Sequence, residues 1–164
     1  MFIIIVNFVL KIIFLMDDNK GIDLITFKLK GQTPIDYSEY VISLYDTHKR
    51  LKSNNEVRYL RPMLVKVLSV YVLYGINPES KKAALECIGI KNESRINMLN
   101  KELRDLGYIE KHYNTNHMTD YLCSDLENIS KYLKSIFFDG AKEKMKENGI
   151  DTTNINFKFE LTIP

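Results

Sequence analysis

The residues best suited to chemistry in this sequence are polar side chains that recur at helical spacing in the second half of the chain. At about 100° per residue, one side of a predicted helix displays Ser94, Asn97 and Lys101, with Asn100 and Arg104 beside them. An asparagine amide can pair with the edge of adenine, and a lysine can reach guanine or phosphate. This chemistry suits contact with the major groove of a duplex.

Motifs typical of enzymes are missing from the sequence. There is no GxxxxGK[ST] loop, no HExxH pair and no nucleophile elbow. His112 and His117 could chelate a metal across a hairpin, but a solvated pair is the simpler interpretation. Cys87 and Cys123 are far apart and belong to no CxxC pair, which favours reduced thiols over a disulfide or zinc site. We therefore expect neither enzymatic activity nor a metal or cofactor.

The polar row requires a helix that is anchored on its opposite side. That anchor is an apolar stripe at steps of three, four and three, formed by Ile96, Leu99, Leu103 and Leu106. Gly107 is expected to end this helix, because glycine readily adopts the left-handed conformation of a helix C-terminus. A shorter helix is predicted before it, with Ala84, Leu85 and Ile88 on its apolar face, Cys87 packed as a small hydrophobe, and Gly89 at its end.

A hairpin is predicted directly after the second helix. Its strands would be Tyr108–Tyr113 and His117–Leu122, joined by Asn114, Thr115 and Asn116. Asparagine tolerates the backbone conformations of hairpin turns. Such a ribbon could touch a nucleic-acid backbone or minor groove, and the alternative is a plain hairpin that covers the core.

Between Lys81 and Lys111 the chain resembles winged helix-turn-helix proteins of the broad MarR-like type. The segment AALECIGI is similar to their LAxxLGI second helix, and LNKELRDLGYIEK is similar to their LVxRLEKKGLIER recognition-helix end. The interval from Ile90 to Gly107 is one residue longer than the common pattern, which indicates an insertion near Lys91–Glu93. The resemblance implies a winged helix from about Leu60 to Leu122 that binds double-stranded DNA.

The expected DNA-contacting set extends beyond the helical row to neighbouring cations and to the hairpin. Lys91 and Arg104 would position the duplex through its phosphates. The further members of the set are Lys81, Lys82, Lys111, His112, Asn114 and Asn116. Between Lys81 and Lys111 there are seven basic and five acidic residues, and the whole chain has a net charge of only +2. Because this charge is small, we expect a homodimer, which would double the phosphate contacts.

The flanking elements complete an α+β, mostly α fold with short terminal strands. A strand is predicted at Ile22–Leu29, and another at Asn156–Ile163. A helix capped by Asp36 should end near Leu51 and bury Tyr40, Val41, Leu44 and Tyr45. A second helix, from about Tyr59 to Tyr74 with Pro62 in its first turn, should bury Leu64, Val67, Leu68, Tyr71 and Val72. After the hairpin, a helix is predicted at Leu126–Phe138, with a break at Gly140 and a solvated charged segment at Ala141–Glu147.

These predictions divide the chain into four segments. They are residues 1–15, 16–55, 56–125 with the winged helix, and 126–164 as a dimerisation element. Residues 1–15 are almost wholly apolar, but they are interrupted by Asn7 and Lys11 and are shorter than the ~20 residues that span a bilayer. The alternatives for them are translated sequence upstream of a true start at Met16, an ordered buried strand or helix, and a membrane or partner anchor.

The sequence therefore predicts a small regulator of transcription or replication in the cytoplasm, and the composition, rich in Lys, Asn and Ile, suits a bacteriophage gene. The first alternative is a structural or adaptor protein of a virion or replication complex, whose winged helix contacts another protein. The second is a regulator tethered to a membrane by residues 1–15.

Overall fold

The computed structural model describes residues 5–6, 10–17, 21–29, 34–53, 58–114, 117–149, 151 and 153. The strands are β1 (Ile5–Val6), β2 (Leu10–Asp17), β3 (Gly21–Leu29), β4 (Ile109–Asn114) and β5 (His117–Leu122). The helices are α1 (Pro34–Lys52), α2 (Pro62–Tyr74), α3 (Pro78–Cys87), α4 (Ser94–Asp105) and α5 (Ser124–Glu147). Helix predominates over strand, which confirms the predicted α+β, mostly α class.

The chain divides into two compact units, Met1–Pro34 with Lys131–Thr162 and a second unit that contains Ile35–Ser130. In the first unit, β1, β2 and β3 form an antiparallel sheet in sequence order, with Leu10 opposite Leu29 and an irregularity between Leu15 and Met16. The predicted strand at Ile22–Leu29 is confirmed as β3. Strand β2 includes residues 10–15 of the apolar N-terminal segment, and whether this strand is buried stays a prediction. The strand predicted at Asn156–Ile163 lies outside the described residues.

Helix α2 is the core of the second unit and is buried on nearly every side. The five predicted core residues are fully buried, and Val65, Ser69, Val70 and Leu73 are buried with them. The helix begins at Pro62, three residues after its predicted start at Tyr59. Proline suits the first helical position, because its ring presets the backbone and the missing N–H would have no partner there.

Helix α1 ends near its predicted C-terminus, but it begins earlier than predicted and buries a different face. Its buried residues are Ile35, Ser38, Ile42 and Asp46, whereas Tyr40 and Leu44 of the predicted core stripe are largely exposed. The two polar residues are tolerated inside because both form hydrogen bonds. Ser38 Oγ donates to the Ser69 carbonyl oxygen (3.4 Å), and Asp46 accepts from the Tyr108 hydroxyl (2.5 Å). The helix also begins at Pro34, so that Asp36 lies in the first turn and not at the cap.

Helix α5 is longer than predicted and continues through Gly140. Ala141 and Met145 are fully buried, so the prediction of a wholly solvated segment at residues 141–147 was wrong at these two positions. A glycine inside a helix costs only about 1 kcal/mol relative to alanine, and burial of the following turn offsets this. Among the described residues, no helix combines the length and apolarity that crossing a bilayer requires.

Candidate nucleic-acid interface

Helix α3 is fixed at both ends by local hydrogen bonding. At its start, the Asn77 side chain accepts from the Ser80 amide (2.8 Å), and the Asn77 amide donates to Ser80 Oγ (3.0 Å), which makes a capping box. Ala84 and Leu85 are buried as predicted, and Ile88 is half-buried. Gly89 adopts a φ of +71° after the helix, in agreement with its predicted role as terminator.

Cys87 lies near the end of α3 and is half-buried, not enclosed as a core residue. Burial raises the pKa of its thiol, and the nearby carboxylate of Glu39 raises it further. The thiol is therefore a poor nucleophile at neutral pH.

The connection from α3 to α4, where the sequence comparison predicted an insertion, determines where α4 begins. Asn92 Oδ1 accepts hydrogen bonds from the Ser94 amide (3.0 Å) and the Ser94 hydroxyl (2.8 Å). An asparagine side chain that binds the backbone two residues on is a common way to start a helix. This hydrogen bonding fixes the first turn of α4, and Ser94 is the first residue of the helix.

Helix α4 is anchored by the predicted stripe. Ile96, Leu99 and Leu103 are buried, and Leu106 at the C-terminal end is half-buried. Gly107 follows with a φ of +71°, as expected for the residue that ends the helix.

The opposite side of α4 is exposed and carries the three polar residues of the predicted row, Ser94, Asn97 and Lys101. Met98 lies on the same side and is 61% exposed, and Asp105 is also exposed there. Arg95 adds an exposed cation in the first turn. No role for Met98 or Arg95 was predicted, although the same 100° arithmetic places Met98 about 40° from Ser94, on the side away from Lys101.

Asn100 is buried, contrary to its expected place beside the exposed row. Its Oδ1 accepts from the Tyr71 hydroxyl (2.9 Å), and its Nδ2 donates to Asp120 Oδ2 (3.3 Å). Arg104 is partly buried, and its guanidinium donates to Asp120 Oδ1 (2.7 Å). These contacts join α2, α4 and β5, so Asn100 and Arg104 position α4 and the hairpin relative to each other.

Lysines of α3 lie beside the start of the exposed row. A groove of about 500 Å³ between α3 and α4 is lined by Pro78, Lys81, Lys82, Leu85, Glu93, Ser94, Ile96 and Asn97. A neighbouring depression of about 400 Å³ shares Lys82 and Glu93 with it and extends to Lys91. The structure therefore brings Lys81, Lys82 and Lys91 to the surface that also contains Ser94 and Asn97, with Glu93 among them.

The hairpin follows α4 as predicted, but β4 begins and ends one residue later than predicted, at Ile109 and at Asn114, which pairs with His117. Lys111 and His112 are exposed. The His112 ring lies 3.4 Å from Glu110 and packs edge-on against Tyr121. The side chain of Asn114 and all of Asn116 lie outside the described residues, so their expected contacts stay predictions.

Helix α1 holds the junction between α4 and β4. Lys49 Nζ donates to the Leu106 carbonyl oxygen (3.0 Å) and lies 4.0 Å from the centre of the Tyr108 ring. A cation at this place favours the helix, because the last carbonyl groups carry partial negative charge. The Tyr108–Asp46 hydrogen bond fixes the same junction from inside. Near the same end of α4, Arg61 at the start of α2 forms a paired salt bridge with Glu102.

The chain matches no protein-family model, no curated protein and no solved structure. Within the part of the chain that the structure describes, no group of three or more His, Cys, Asp or Glu side chains is placed to hold a metal ion. The exposed surface of α3 and α4 presents hydroxyl, amide, ammonium, thioether and carboxylate groups.

Proposed function

We propose that α2, α3, α4 and the β4–β5 hairpin form a winged helix-turn-helix module that binds double-stranded DNA. The order of the elements supports this proposal, since two short helices joined by a glycine-containing turn are followed at once by a hairpin. In this proposal α4 is the recognition helix and enters the major groove.

The observation that carries the proposal is the exposed row on α4. Asn97 and Lys101 face outward while the other side of the helix is buried, so their polar groups are available to a partner. Ser94 is also exposed, but its hydroxyl donates to Asn92 Oδ1, so it offers a partner only an acceptor. An amide can bind adenine with two hydrogen bonds, and lysine can bind guanine. Exposed Met98 adds an apolar group suited to contact with a thymine methyl.

Cations around the row support contact with the sugar-phosphate backbone. Lys82, Lys91, Arg95 and Lys111 are exposed, and Lys81 is half-buried at the same groove. Exposed Glu86 and Glu93 reduce the positive electrostatic potential of this surface, so one protomer supplies few phosphate contacts. A homodimer doubles them, which suits a small cytoplasmic regulator of transcription or replication.

The proposal is tested by fluorescence anisotropy or gel retardation with mixed genomic fragments across a range of salt concentrations. We expect retardation that weakens as salt increases. Asn97→Ala should reduce discrimination between fragments by about 1–3 kcal/mol, because it removes a base contact. Asn128→Ala is the matched control, since Asn128 is an exposed asparagine on α5, and it should bind as the unmodified chain does.

An adaptor that contacts another protein is the second candidate, and the pairing of Arg104 with Asp120 favours it. Asp120 neutralises the charge of Arg104, which would otherwise be available to bind phosphate. Exposed Asp105 on the same helix would repel a phosphate backbone. Absence of retardation at low salt would reject DNA binding and favour the adaptor.

A further inference from the structure

Helix α1 is apolar on two opposite sides. The inner side, with Ile35 and Ile42, is buried. On the outer side, Tyr40, Leu44 and Leu51 are 62%, 53% and 66% exposed. Spacings of four and seven residues place these three within about 40° of one another around the helix, and opposite the buried face. We name them the outer stripe of α1.

The charges of α1 are divided between its ends. Asp36 lies in the first turn and Glu39 follows, whereas Lys49, Arg50 and Lys52 lie in the last turn. Two such helices side by side in parallel would bring like charges together. In the antiparallel arrangement the acidic end of each helix lies beside the basic end of the other, and the two helix dipoles also oppose each other.

We propose that the outer stripe of α1 is the interface with a second copy of the chain, with the two α1 helices packed antiparallel. An antiparallel pair has a two-fold axis perpendicular to both helices, so the same patch serves both protomers. With the axis near Leu44, the two Leu44 side chains meet, and Tyr40 of each protomer lies beside the partner's His48. Burial of three large apolar side chains from each protomer supplies the driving force, and the charges at the ends select the orientation.

This inference goes beyond the proposed function, since it assigns an association surface that is independent of any contact with DNA. It also assigns dimerisation to α1, in place of residues 126–164, for which the sequence predicted that role. Because association is measured without DNA, its failure and the failure of DNA binding are distinguishable.

Sedimentation equilibrium of the full chain tests the surface. The unmodified chain should be dimeric, and Tyr40→Glu should raise the dimer dissociation constant by at least about tenfold, because it places a charge in the apolar contact. Tyr132→Glu is the matched control: Tyr132 on α5 is also 62% exposed, and its replacement should leave the dissociation constant unchanged. Circular dichroism should show both variants folded, since both positions are at the surface.

A monomeric unmodified chain would overturn the proposal. Dissociation by Tyr132→Glu together with an intact Tyr40→Glu dimer would also overturn it, and would assign the interface to α5.

Oxidative cross-linking tests the orientation. Leu44→Cys should form a disulfide-linked dimer beyond the background that Cys87 and Cys123 give in the unmodified chain. Tyr40→Cys should not, because in an antiparallel pair centred near Leu44 the two residues at position 40 are eight residues apart, about 12 Å along the axis. Equal cross-linking of both variants would reject the antiparallel arrangement.

Discussion

The hydroxyl of Tyr108 donates a 2.5 Å hydrogen bond to the Asp46 carboxylate, and both residues are buried. Tyr108→Phe keeps the ring that Lys49 contacts but removes the donor, so a buried acceptor loses a partner. We expect the free energy of unfolding to fall by about 1–3 kcal/mol, measured by urea denaturation.

Tyr45→Phe is the control for this substitution. The Tyr45 hydroxyl also donates to a carboxylate, Asp125 (2.8 Å), but this hydrogen bond is exposed. We expect a loss below about 1 kcal/mol, because water replaces the lost partner. Equal losses in the two variants would contradict the structural importance assigned to the buried pair.

Asn97 and Asn100 are the same residue type three positions apart on α4, but the structure gives them different surroundings. Asn100→Ala removes the acceptor of the buried Tyr71 hydroxyl and should lower stability by about 1–3 kcal/mol. Asn97→Ala alters an exposed site and should change stability by less than about 0.5 kcal/mol. Thermal or urea unfolding of both variants measures this, and a large loss at Asn97 would reject its assignment to a binding surface.

The buried tyrosines predict a loss of stability in alkaline solution. Burial raises the pKa of Tyr71 above its ordinary value of 10.0, and nearby Asp120 raises it further. Burial and the hydrogen bond to Asp46 raise the pKa of Tyr108. Above pH 10 the unfolded chain therefore binds fewer protons than the folded chain, so stability falls as pH rises. Tyr108→Phe should reduce this slope in denaturation curves recorded above pH 10, and an unchanged slope would contradict the assignment.

At the scale of single residues, the sequence located the exposed row but not its limits. Helical arithmetic placed Asn97 and Lys101 outward, and the structure has them exposed. The same arithmetic did not predict that Asn100 and Arg104 contact Asp120, because Asp120 belongs to β5 and the contact depends on tertiary packing.

At the scale of elements, helix positions were predicted well and helix faces less well. The extent of α1 follows from its periodicity, but the helix has two apolar sides, and periodicity alone does not rank them. The side with Ser38 and Asp46 is inside because Ser69 and Tyr108 satisfy those polar groups. Gly140 was expected to interrupt α5, but local propensity is a weak constraint where the next turn is buried.

Two glycines should respond in opposite ways to alanine. Gly107 ends α4 with a φ of +71°, so Gly107→Ala should cost about 1–2 kcal/mol of stability. Gly140 lies inside α5, and a Cβ there meets no atom within 4 Å, so Gly140→Ala should stabilise the protein by about 0.5–1 kcal/mol. Melting temperatures compare the two variants, and a destabilised Gly140→Ala would contradict the open space described around that residue.

At the scale of the whole molecule, composition and periodicity predicted the fold class, the order of the elements from α1 to α5 and the position of the hairpin. They did not predict the division of the chain into two units, with α5 contributing to both. Such a division depends on long-range packing, which no local pattern encodes.

The small net charge of +2 makes association important for DNA binding in the proposed function. Each phosphate contact contributes about −0.9 to the slope of log affinity against log salt concentration. We expect Tyr40→Glu to reduce the magnitude of that slope by about half, because only one protomer then contacts the duplex. The salt dependence of Tyr132→Glu should match that of the unmodified chain. If the slope for Tyr40→Glu also equals that of the unmodified chain, one protomer supplies all the phosphate contacts.

Helix α1 contacts the end of α4 through Lys49 and the root of the hairpin through Asp46 and Tyr108. Its outer stripe points away from both. Because α1 contacts both elements, a rotation of α1 about its own axis would displace α4 and the hairpin together. In the proposed DNA-bound dimer, the distance between the two α4 helices, and with it the half-site spacing, would then depend on how α1 packs and not on α4 itself.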